Sequence, residues 1–123
     1  MHESSKAAKV LYSREVREMQ HAVVYFTNGS RSFNRCMLMS VPQNLKDSLR
    51  HINQANENII RRNGQGGDRE IFHGHFNDVF DEINGIPMHQ MLDWISQCGW
   101  DIHAVTTNSN PIEFCYVLRR QCD

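Results

Sequence analysis

Long apolar runs are missing from this sequence. None approaches the roughly 18 residues that a bilayer-spanning helix needs, which excludes a helical membrane protein. The opening Met1-His2-Glu3-Ser4-Ser5-Lys6 also lacks the apolar core of a secretory signal, so a cytoplasmic protein is expected. Charge of one sign is not in excess: 13 basic residues face 14 acidic ones, for a net charge of -1. No whole-chain field therefore draws the protein onto a membrane or extended nucleic acid. Cysteine is sparse, and Cys36, Cys98, Cys115 and Cys122 form no CxxC pair, a pattern of free thiols rather than of a disulfide framework. Proline occurs three times, and each one reads as the border of an element.

What is present suits one domain, because 123 residues with 40% hydrophobic content can bury one core. Residues 1 to 20 are mostly polar, with Val10, Leu11, Tyr12, Val16 and Met19 as their larger apolar side chains. They read as an N-terminal arm or short helix ahead of a single α+β domain over 21–123. Ala22-Val23-Val24-Tyr25-Phe26 is short, branched and aromatic, and Asn28-Gly29 follows as a hairpin signal. Arg35 to Val41 is the returning strand, stopped by Pro42. Asn44 then caps a helix to Arg62, in which Leu45, Leu49, Ile52, Ile59 and Ile60 fall near one face. Asn63 to Asp68 is a glycine-rich loop, and the segment from Arg69 to Gly85 reads as a brief strand followed by a helical turn.

Pro87 opens a second helix, Met88, Met91, Leu92, Ile95 and Cys98 give it a 3.6-residue stripe, and Gly99 ends it. A hairpin of Trp100 to Thr106 and Ile112 to Leu118 follows, turning at Asn108 to Pro111. The fold expected is an antiparallel sheet of four to five strands with the two main helices packed on one face.

The run from Met88 to Arg120, with its helix, Cys98-Gly99-Trp100-Asp101-Ile102 and terminal Tyr116-Val117-Leu118-Arg119-Arg120, resembles the C-terminal domain of KCTD proteins. It is also similar to the end of the GTP cyclohydrolase feedback regulatory protein. Arg69-Glu70-Ile71-Phe72, followed by Phe76-Asn77-Asp78 and Asn84, is similar to the stretch before that helix in KCTD domains. The resemblance implies a compact regulatory or oligomerising module that acts through protein contacts. No BTB domain stands in these 123 residues, so the ubiquitin-ligase adaptor role of KCTD proteins does not carry over.

Several groups invite chemistry and have a plainer alternative. His73-Gly74-His75 is the tightest cluster of metal-ligand types, but HExxH, paired CxxC and zinc-finger spacings are all missing, so surface or capping histidines account for it. Asp78, Asp81 and Glu82 surround Val79, Phe80 and Ile83 in a helix-like order, as on a solvated helical face. Cys98 at a helix C-terminus is placed against thiolate formation. The glycines at 64, 66 and 67 lack the Lys-Ser/Thr of a phosphate loop.

Arginine outnumbers lysine, which suits bidentate contact with anions, and Arg31, Arg35, Arg119 and Arg120 are candidates for a small anionic or nucleotide ligand between subunits. Met37, Met39, Phe72, Phe76 and Phe80 are candidates for an adaptable contact surface. The expected function is a non-catalytic regulatory domain that binds another protein or a second copy of itself, with no catalytic residues and no cofactor. The alternatives are a nucleotide-sequestering protein and a metal-dependent hydrolase using His73 and His75.

Overall fold

A computed structural model describes residues 19–28, 33–63 and 70–121. Six strands and two helices run in the order β1 (Met19–Thr27), β2 (Arg35–Ser40), α1 (Gln43–Asn63), β3 (His75–Asn77), β4 (Glu82–Asn84), α2 (Met88–Gln97), β5 (Asp101–Ser109), β6 (Ile112–Gln121). All strand pairs are antiparallel and form one sheet in the order β3-β4-β2-β1-β6-β5. The α+β class and both helices match expectation. The sheet has six strands rather than four or five.

Strand alternation decides what the sheet buries. Ala22, Val24 and Phe26 of β1 point the same way as Cys36 and Leu38 of β2, Ile83 of β4 and Leu118 of β6, and all are buried. Leu45 and Leu49 of α1 and Met91, Trp94 and Ile95 of α2 close over them. Both helices therefore cover the same face.

The first turn of α1 is capped by Pro42, whose carbonyl accepts from the amides of Leu45 and Lys46 at 3.1 and 3.2 Å, so the helix starts slightly before Asn44. Arg61 and Arg62 in its last turn complement the negative end of the dipole. Helix α2 ends as expected: Gly99 has φ +86°, its amide donates to Ser96, and Trp100 donates to Ile95 at 3.3 Å. Trp100 is then buried beside Leu118 and the C-terminal end of α2.

The segment from Arg69 to Gly85 departs from the expected strand and helical turn. Its described part holds two three-residue strands joined by a tight turn. Asn77 Oδ1 accepts from the amides of Val79 and Phe80 at 3.1 and 3.4 Å, and Asp81 has φ +49°. Asp78 and Asp81 thus sit at a turn and not on a solvated helical face, whereas Ile83 and Glu82 are buried in β4. A side-chain turn and pairing of β4 to β2 outweigh the local helical spacing.

Helix α1 anchors this hairpin through side chains. Asn53 donates to the Gly74 carbonyl at 3.0 Å and accepts from its amide at 2.7 Å, while Asn56 donates to the carbonyl of Phe72 at 2.9 Å. Ion pairs Arg50–Asp78 and Lys46–Asp81 hold the turn to the same helix.

Candidate functional site

The face of the sheet turned away from both helices has no cover among the described residues. It presents Val23 and Tyr25 of β1, Met37 and Met39 of β2, Cys115 and Val117 of β6 and Ala104 of β5. Tyr25 stands directly between Met37 and Cys115, and Val117 between Val23 and Ala104, so these side chains form adjoining cross-strand rows. Met39 follows the irregular register between β1 and β2 and is 61% exposed.

Polar groups ring this apolar centre. At one corner Arg35 Nε donates to Glu82 Oε2 at 3.0 Å and Asn84 donates to Glu82 Oε1 at 3.1 Å. The Asn84 amide, with Arg35 beside it, holds the Glu82 carboxyl below the usual glutamate range against the opposing effect of its partial burial. At another edge the Glu113 carboxylate accepts from the Tyr25 hydroxyl and pushes its pKa above the usual tyrosine value, aided by desolvation and opposed by Asn108. His21, Arg119 and Asp101 stand in register at the far end. An apolar centre with a polar rim is the anatomy of a protein contact surface.

The candidate residues divide on this framework. Met37 and Met39 lie on the open face. Phe76 instead packs on the core with the Arg50 guanidinium 4.7 Å from its ring centre, and Phe72 packs there with its ring 6.3 Å from that of His89. Phe80 is 69% exposed, but at the β3–β4 turn rather than beside the methionines. The five residues are thus not one surface. Tyr25, Val23, Cys115 and Val117 belong to it and were hidden in strands that read as buried on both faces. Their period-two partners Val24, Phe26, Tyr116 and Leu118 are as apolar as they are.

The arginines do not meet within one chain. Arg35 is level with Thr27 and Arg119 with His21, a separation of roughly 20 Å along β1 at strand rise. Arg120 points to the other face, with its guanidinium 5.5 Å from the Trp100 ring centre and a 3.4 Å bond to Gln20. Arg31 lies outside the described residues.

Neither alternative chemistry gains a site. His73 and His75 flank Gly74 and are both exposed, and among the described residues no group of three or more His, Cys, Asp or Glu side chains is placed to hold a metal ion. A groove of about 590 Å³ between α1 and β3 is lined by Arg50, His51, Asn53, Gln54 and His75, but Arg50 is already paired with Asp78 and Asn53 with Gly74. Burial pushes the thiols of Cys36 and Cys98 up, away from nucleophilic thiolates.

No family model, curated protein or solved structure matches the chain.

Proposed function

We propose that this chain is a non-catalytic regulatory module that binds another protein through its open sheet face. One observation carries the reading: the rows Met37–Tyr25–Cys115 and Val23–Val117–Ala104 place apolar and aromatic side chains at the centre of a sheet face that no other described residue covers, inside a polar ring. Tyr and Met are enriched at such surfaces, and a contiguous apolar patch of this kind marks a contact site on a folded domain. The resemblance of Met88 to Arg120 to KCTD C-terminal domains supports the same class. It adds the expectation that the protein works by occupying a partner rather than by turning over a substrate.

Site-specific photocrosslinking tests this. A benzophenone side chain at Tyr25 gives a discrete crosslinked product with the partner, and one at Asn58 on the far side of α1 does not. Val117→Asp removes the Tyr25 product while the protein stays folded. Equal crosslinking from both positions, or a product indifferent to Val117→Asp, overturns the reading.

A further inference from the structure

The two edges of the sheet are built differently. Strand β3 is three residues long, and the turn that follows it is fastened to α1 by Arg50 and Lys46. Strand β5 is nine residues long and exposed at every one of them. Among the described residues its backbone makes no main-chain hydrogen bond beyond the ladder to β6. A row of main-chain donors and acceptors therefore faces outward. Edges of this length ordinarily carry lysine, proline, an inward charge or a bulge that prevents another strand from joining, and the one irregularity in the β5 register is confined to His103, near its start. From Ile102 to Ser109 there is no Lys, Arg, Asp, Glu or Pro.

The side chains flanking this edge are also unfinished. On the helix side Ile102 is 52% exposed and Val105 49%, and Ile112, opposite Ser109 at the start of β6, is 51% exposed. The helices stop short of them.

We propose that β5 pairs antiparallel with β5 of a second copy of this chain, across a two-fold axis perpendicular to the sheet, joining two sheets into one. The strand is its own complement. Its one acidic residue, Asp101, lies at the end and falls against the neutral Asn108-Ser109 end of its mate, so no like charges oppose. With Asp101 opposite Ser109 the axis passes through Val105, so the two Val105 side chains face each other on one side and Thr106 lies opposite Ala104 on the other. Ile102 and Val105 of both copies fall on the same side and shield each other. Beyond Asp101 at its end, β5 offers no Asp, Glu, Lys or Arg side chain by which a foreign strand could be chosen. This interface is separate from the open face bound by the partner, and each stands or falls alone.

Sedimentation equilibrium with hydrogen exchange tests the pairing in the full chain. The wild type is expected to be a dimer at micromolar concentrations, with slowed exchange at the β5 amides. Val105→Lys changes a half-exposed residue and places like charges near the axis. It should raise the dimer Kd roughly tenfold or more and speed exchange at β5 without altering the near-ultraviolet signal of Trp94 and Trp100. Met37→Lys, on the open face, should leave the dimer intact. A wild type that is monomeric at every accessible concentration, a dimer unaffected by Val105→Lys, or one lost with Met37→Lys alone overturns the proposal. Should Val105→Lys fail to fold, Thr107→Lys supplies the same comparison.

Discussion

Two glycines show how differently single residues constrain this chain. A Cβ on Gly74 would sit 2.6 Å from the Asn84 carbonyl oxygen and 2.7 Å from Ile86 Cγ1, so the obstacle is backbone and core together. Gly99 has φ +86° but ample space, its nearest neighbour being Arg120 Cδ at 3.8 Å. Gly74→Ala should cost roughly 2–3 kcal/mol by overpacking and loss of the Asn53 pairing, and Gly99→Ala about 1–2 kcal/mol of left-handed strain. Urea denaturation of the two variants checks the order. Gly99 was legible because a helical stripe ended on it. Gly74 was not, since its neighbour comes from ten residues away across a hairpin that the sequence did not announce.

Glu82 supplies the pH dependence at this scale. Its folded pKa lies below the unfolded value, so the native state favours the carboxylate. The stabilisation is complete above the ordinary value of 4.5 and is lost as pH falls through the lower folded value. Stability of Asn84→Ala, which removes the leading cause, should accordingly fall less steeply with acid than that of the wild type. Thermal melts of both proteins across the acid range read this difference directly.

At the scale of the element, the β3–β4 hairpin explains most of what the sequence concealed. Helix α2 was readable because its ten residues carry several repeats of one stripe and end at a glycine. Strands of three residues carry no period, and Val79, Phe80 and Ile83 fall at helical spacing by coincidence with the turn. Phe72, Phe76 and Phe80 therefore looked like one group when a turn separates their surroundings. Phe80→Ala should change stability by no more than about 0.5 kcal/mol, and Phe76→Ala, which empties the site beneath Arg50, should cost roughly 2 kcal/mol. Paired chemical denaturation curves decide it.

Over the whole molecule, the sheet is wider than its helical cover. Helices α1 and α2 shield the strands from β4 to β1 and part of β6, and among the described residues nothing covers the opposite face or the β5 end. Their amphipathic stripes announced that one face would be covered. No property of the strands themselves said that the other would not be, because Val23, Tyr25, Cys115 and Val117 suit a doubly covered sheet equally well. Cysteine chemistry reports on this arrangement. Alkylation of the native protein should modify Cys115, on the open face, well before Cys36, which reacts only on unfolding. Occupation of the face by a partner should protect Cys115, as mass spectrometry of labelled peptides would show.

Strand order has one more consequence, for how the chain assembles. Strand β1 lies between β2, its near neighbour in sequence, and β6, the last strand, with Gln20 and Arg120 side by side although 100 positions apart. The middle of the sheet is thus closed by its most distant contact, which makes folding slow relative to a chain built from local pairings. Until β6 exists, β1 is itself an open edge carrying Ala22, Val24 and Phe26. On the ribosome that edge stays unsealed while the chain is extended from Thr27 to Ile112 and through β6.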